Sequence, residues 1–204
     1  MTETSDGFDH TPSSRYAEAH LIGPVGDLLT GESGPIVDLG CGNGLATQRL
    51  GTRLGVPIVG VDRSSLRLGQ AKTAFPNLEV HRVDFDDALP AHLRDRFEVA
   101  VSTEVIEHML FPRNLFRRAI ESGARRLILS TPYHGYTKDL VLALLGRMDD
   151  HWQSTVDYGH VKFFSEATLT RLAAEEGWET AALRRVGRVR PLAKSMIADF
   201  RRAD

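Results

Sequence analysis

The segment Asp38-Leu39-Gly40-Cys41-Gly42-Asn43-Gly44 sets three glycines where the apolar run Ile36–Leu39 ends. Glycines at a strand-to-helix turn tolerate positive φ and let the backbone approach a ligand closely. A second apolar run, Pro57–Val61, ends in Asp62, about twenty residues past that turn, where an acid accepts hydrogen bonds from the two hydroxyls of a ribose. Together these features specify an adenosine-type ligand at the carboxyl edge of a parallel sheet. The G-x-G-x-x-G fingerprint of nicotinamide dinucleotides is missed by one residue, because Leu45 occupies its last glycine position. Asp38 at the mouth of the turn would also repel a pyrophosphate. A second constellation follows Ser102-Thr103: Glu104-Val105-Ile106-Glu107-His108. On a helical turn, Glu104, Glu107 and His108 stand at i, i+3 and i+4 and share one face. Two carboxylates and an imidazole there suit a divalent cation.

The D-x-G-x-G-x-G pattern resembles motif I of the class I methyltransferases that use S-adenosylmethionine (SAM). In that family the leading acid serves the cationic amino-acid end of SAM, which implies that role for Asp38. An acid after the third strand contacts the adenine amino group and the next apolar residue packs on the ring, implying Asp84 and Phe85 in Val83-Asp84-Phe85-Asp86. The cofactor-binding positions expected on this resemblance are Asp38, Gly40, Cys41, Gly42, Gly44, Asp62, Arg63, Asp84, Phe85 and Thr103. The E-x-x-E-H element resembles two groups within the family: the O-methyltransferases of ubiquinone biosynthesis, and the enzymes that methylate the terminal 2′-hydroxyl of small RNAs. In the second group the two glutamates, the histidine and a downstream histidine hold a divalent metal. That implies Glu104, Glu107, His108 and His160 as ligands to Mg2+ or another divalent cation, with His134 and His151 as substitutes for His160.

Methyl transfer from a sulfonium is an in-line displacement that needs nucleophile and methyl carbon held about 3–3.5 Å apart. A phenol with a pKa near 10 needs help to ionise at neutral pH. A metal supplies that help by binding the oxygen; alternatively His108 acts as general base, with Glu107 orienting it and Glu104 contacting the cofactor. The expected reaction is O-methylation of a small hydroxylated, aromatic molecule, with Glu104, Glu107 and His108 as the catalytic group. Methylation of an RNA 3′ end and a non-catalytic SAM-binding role are the alternatives.

Strand and helix signals alternate along the chain, which predicts a Rossmann-like, doubly wound, mostly parallel seven-stranded sheet of α/β class. Strands are expected at 36–40, 57–62, 78–83, 97–102, 126–130, 178–186 and 194–200. Helices are expected at 45–54, from Ser64 or Ser65 to 75, at 112–122, and at 166–176 behind a Ser165 cap. Gly23-Pro24 is expected to divide residues 14–29 into two short helices. Residues 134–160 interrupt the alternation and read as an inserted lid after the fifth strand, with a buried apolar helix at its centre. Its aromatic and polar residues Tyr133, His134, Trp152 and Tyr158 are the expected acceptor contacts.

The 204 residues, 42% of them hydrophobic and 25% charged, fit one domain, 13–204, behind a flexible tail, 1–12. The net charge of −2 provides no global field to draw the chain to nucleic acid. Arg184, Arg185, Arg188, Arg190, Lys194, Arg201 and Arg202 read as a solvated edge. The lone cysteine, the polar N-terminus and the lack of a long apolar run lead us to expect a cytoplasmic monomer or homodimer with no transmembrane segment and a small-molecule acceptor.

Overall fold

The structure is a computed structural model that describes residues 20–152, 159–187 and 192–203. Seven strands form one sheet: β1 (Ile36–Leu39), β2 (Ile58–Asp62), β3 (Val80–Arg82), β4 (Val99–Thr103), β5 (Arg126–Pro132), β6 (Trp178–Val186) and β7 (Ser195–Arg202). Their spatial order is β3-β2-β1-β4-β5-β7-β6, with β1 to β5 parallel and β7 antiparallel to both neighbours. The helices are α1 (Ile22–Leu28), α2 (Leu45–Leu54), α3 (Ser65–Ala74), α4 (Arg113–Glu121), α5 (Tyr136–Leu144), α6 (Met148–Trp152) and α7 (Glu166–Glu175).

The central strands β1, β2, β4 and β5 are buried nearly throughout because both faces of the sheet are covered there, whereas the edge strands β3 and β6 are partly exposed. Successive side chains alternate across the sheet. In β1, Ile36 joins a core layer with Val25 of α1 and Leu50 of α2, while Val37 joins Leu115 and Phe116 of α4 and Leu169 of α7 on the other side. In β5, Ile128 belongs to the first layer, and Leu127 and Leu129 to the second. β1 is paired with β2 on one side and β4 on the other. The chain thus leaves β1 and β4 in opposite directions, and their carboxyl ends open a crevice at this reversal of strand order.

Element ends follow local chemistry. Gly44 caps α2 at φ 77, Ser64 Oγ accepts the Arg67 N–H to start α3, and Ser165 and Thr168 form a reciprocal capping box at the start of α7. Two expectations need correction. Gly23-Pro24 does not break a helix: the chain turns at Leu21 and α1 begins at Ile22, which leaves Pro24 in the first turn, where no N–H is required. The helix after β5 is not a buried apolar one. Tyr136, Leu140 and Leu144 of α5 are 93%, 60% and 78% exposed, and its buried residue is Lys138, whose Nζ donates to the Tyr133 carbonyl at 2.6 Å. The expected tail, and Arg188 and Arg190, lie outside the described residues. No helix among those described is long and apolar enough to cross a membrane.

Candidate functional site

The glycine turn begins where β1 ends. Gly40, Gly42 and Gly44 take φ of 95, 54 and 77, a region that side chains rarely adopt. Gly40 also lacks room: a Cβ there would overlap Val105 Cγ2. One at Gly44 would stand 2.7 Å from Leu78 Cδ2. Asp62 ties the turn to β2, its Oδ2 accepting the Gly42 N–H at 2.9 Å and its Oδ1 the Ser64 N–H at 2.8 Å. A cleft of about 650 Å3 opens against this turn, lined by Gly40, Asp62, Arg63, Asp84, Phe85, Glu104 and His108 among others.

Asp38, Cys41, Gly42, Gly44 and Thr103 do not themselves line the cleft. Asp38 is buried in mid-sheet, where its Oδ2 accepts the Thr47 hydroxyl at 2.6 Å and its Oδ1 has no hydrogen-bond partner. Burial raises its pKa to about 6, against the lowering effect of Thr47 and with a smaller push from Asp62. Burial also pushes the Cys41 thiol well up, so it packs against Gly60 as an inert small hydrophobe.

The E-x-x-E-H segment does not form the expected helical face. Glu104 sits at φ 54, and Ile106–His108 form a single 3₁₀ turn. A left-handed residue followed by a tighter turn separates the side chains that an α-helix would align. Glu104 reaches towards β5 and β7, where Ser130 Oγ donates to its Oε1 at 3.0 Å and Ser195 Oγ to its Oε2 at 3.4 Å. Burial raises its pKa to about 7, partly offset by those two hydroxyls and by Lys138. Glu107 is buried, accepts the Thr131 hydroxyl at 3.0 Å on Oε2 and has no partner for Oε1. Its pKa is driven well up by burial first and by the Glu104 charge second.

His160 joins this turn through backbone bonds. The Glu107 carbonyl accepts the N–H groups of Val161 at 2.9 Å and Lys162 at 3.0 Å. The His108 and His160 rings meet edge to face at 4.9 Å, and His108 Nδ1 lies 3.3 Å from the Gly159 carbonyl. One ligand-type atom each from Glu107, His108 and His160 lies within 4.8 Å of the others. Glu104, expected as a fourth ligand, is outside this group.

The expected acceptor contacts are placed elsewhere. Tyr133 is buried beneath the Arg185 guanidinium at 4.6 Å, His134 stacks edge to face on Phe163, and Trp152 is half-exposed; none lines the cleft. Tyr158 and the His151 side chain lie outside the described residues. Sequence reasoning missed Arg67, Arg82, Val105, Met109 and Leu110 as cleft residues, and Thr47, Ser130, Thr131 and Ser195 as partners of the acids. The hydroxyl partners carry no local signal, since the sheet alone brings Ser195 to Glu104.

The residues present fit a SAM-type ligand: a glycine, Gly40, at the cleft wall where no side chain fits, an acid at the end of β2 and a buried, half-satisfied carboxylate beneath. Comparison with known proteins agrees. A model of the family described as "Methyltransferase domain" matches residues 15–183. The chain is 27% identical to a ubiquinone biosynthesis O-methyltransferase of Azorhizobium caulinodans over 194 residues, covering 84% of this chain and 76% of that one. Among solved structures, the methyltransferase complexed with the activator Trm112 from Haloferax volcanii superposes with TM-score 0.73 at 15% identity, over 94% of this chain and 91% of that one. Magnesium protoporphyrin IX methyltransferase from Synechocystis PCC 6803, with bound S-adenosylhomocysteine (SAH), gives 0.65 at 17% identity, over 89% and 82%. The fold, the glycine turn and the family match together establish that this chain belongs to the methyltransferase-domain family and is a SAM-dependent methyltransferase.

Proposed function

We propose that this enzyme transfers the methyl group of SAM to an oxygen of a small hydroxylated aromatic molecule, with a divalent cation held by Glu107, His108 and His160. The observation that carries the reading is the buried Glu107 carboxylate, whose Oε1 has no partner and one of whose oxygens lies within 4.8 Å of a ring nitrogen of each of two imidazoles. An orphaned buried carboxylate oxygen is costly, and a cation offsets that cost. The glutamate–histidine set suits a borderline or hard divalent ion. When bound, such an ion supplies a Lewis acid that lowers the pKa of the acceptor hydroxyl. The identity to ubiquinone biosynthesis O-methyltransferases supports oxygen as the nucleophile.

The chain's own groups do the rest. Asp62 takes the ribose hydroxyls, Asp84 the adenine amino group and Phe85 the ring face. Asp38, buried behind the glycine turn with Oδ1 unpartnered, is the acid that would meet the cofactor's ammonium group. His108 Nδ1 donates to the Gly159 carbonyl, because a carbonyl can only accept, which leaves the lone pair on Nε2. Nε2 is therefore the atom that serves either as ligand or, without a cation, as acceptor of the hydroxyl proton. As the new C–O bond forms, the S–CH3 bond breaks, its electron pair stays on sulfur, and one proton leaves the acceptor.

The test is calorimetric titration of chelator-treated protein with Mg2+, Mn2+ and Zn2+, on the wild type and on Glu107→Ala, followed by turnover with catechols and with RNA 3′ ends. Metal binding lost in Glu107→Ala, with turnover on a catechol, supports the reading. Turnover on RNA ends alone would overturn the acceptor class, and unchanged metal binding by Glu107→Ala would overturn the metal site.

A further inference from the structure

We propose that Thr47 is a positioning residue for the amino-acid end of the cofactor: its hydroxyl holds one oxygen of the Asp38 carboxylate and so reserves the other for the cofactor's ammonium group. This rests on the SAM reading of the cleft and on the role of Asp38 within it.

Thr47 is the third residue of α2 and is fully buried. A threonine in the first turn of a helix ordinarily bonds to nearby backbone. Here its Oγ1 donates across to Asp38 Oδ2 at 2.6 Å, in the short range of a hydroxyl bound to a charged acceptor. Asp38 pairs in register with Gly60 on β2 and Val101 on β4, neither of which carries a polar side chain. No cation of the described residues forms an ion pair with it, and the charge that acts on it is another carboxylate, Asp62. Its Oδ1 is buried without a hydrogen-bond partner. A carboxylate engaged on one side only, one residue before Leu39 and two before the glycine turn, is a geometry prepared for a positive ligand group. Thr47 fixes which oxygen is left for it. The same bond links β1 to α2, so the helix and the Asp38 carboxylate are set by one contact.

The test compares two probes that share the nucleoside and thioether. SAH carries the α-ammonium, and 5′-methylthioadenosine lacks the whole amino-acid portion. Dissociation constants are measured for both on the wild type, Thr47→Val and Thr47→Ser, with thermal unfolding as a check on the fold. The expected result is about a tenfold or greater loss of SAH affinity in Thr47→Val, no more than a twofold change for 5′-methylthioadenosine, and recovery in Thr47→Ser. In an Asp38→Asn background, Thr47→Val should no longer alter the ratio of the two affinities. Equal loss for both probes would mark Thr47 as merely structural and overturn the proposal. Unchanged SAH affinity in Thr47→Val would also overturn it. A wild type that binds neither probe would instead overturn the SAM reading itself, so the two failures are distinguishable.

Discussion

The backbone carbonyl of Glu107 accepts the N–H of Val161 at 2.9 Å, and this bond joins two segments of the chain that carry the candidate acceptor chemistry. The adjoining Lys162 N–H shares the same carbonyl. The 3₁₀ turn after β4 and the strand-like segment before α7 are thereby held as one unit. His160 arrives beside His108 because its backbone is anchored one residue further on, not because of any pattern within its own segment.

Replacing Glu107 separates function from stability. The side chain is buried with one oxygen unpartnered and is repelled by the half-buried Glu104 carboxylate, so its charge is a liability to the fold without a cation. Glu107→Gln is expected to lower turnover about a hundredfold or more while leaving the apo protein at least as stable as wild type. Steady-state SAH production and thermal unfolding in chelator check the two halves. A large loss of stability in Glu107→Gln would show that the carboxylate is a structural anchor for Thr131 instead.

Asp38 sets a pH dependence whose sign can be worked out. Its folded pKa, about 6, lies above the ordinary 3.8, so the folded chain binds this proton more readily than the unfolded chain. Stability contributed by the group therefore falls as pH rises from about 4 through 6. Asp38→Asn should raise apo stability at pH 7.5 by about 1–3 kcal/mol, with the gain shrinking below pH 6 and vanishing near pH 4. The same variant should bind SAH more weakly. Urea unfolding at pH 7.5 and 4.5 measures the first effect, and a gain that is independent of pH would contradict it.

The two kinds of positive-φ glycine should behave differently. Gly40 combines φ 95 with a neighbour, Val105, that a Cβ would overlap, whereas Gly55 at φ 70 faces open space. Gly40→Ala is expected to cost about 2–4 kcal/mol and Gly55→Ala about 1 kcal/mol by denaturant unfolding. Equal costs would mean that the contact between the glycine turn and the 104–108 segment is soft.

The outward face of α5 gives a prediction opposite to that of a buried helix. Leu140 and Leu144 are exposed, so Leu140→Gln and Leu144→Gln should each change stability by less than about 0.5 kcal/mol. Losses of about 2 kcal/mol or more would show that these leucines are covered in solution.

What the sequence made legible follows from which signals are local. Strands β1 and β2, the glycine turn and Asp62 are announced by apolar runs and glycines within a few residues, and α2 and β6 fall at their expected bounds. The triad of Glu104, Glu107 and His108 was legible as residue types but not as geometry, because a left-handed Glu104 leaves no mark in the pattern. The partners of the buried acids were not legible at all. Thr47 meets Asp38 across a turn, and Ser195 meets Glu104 only because β7 inserts antiparallel beside β5. The burial of Lys138 beneath outward leucines inverted the apolar pattern of α5, since a polar anchor on Tyr133 decides that helix's orientation.

The most direct test of the account is the equilibrium binding of SAH to the wild type and to Asp62→Ala, followed by calorimetry. The account predicts one SAH per chain for the wild type, and at least a tenfold weaker affinity for a folded Asp62→Ala. A wild type that binds no SAH, or an Asp62→Ala variant that binds it undiminished, would contradict the assignment of this cleft as the cofactor site.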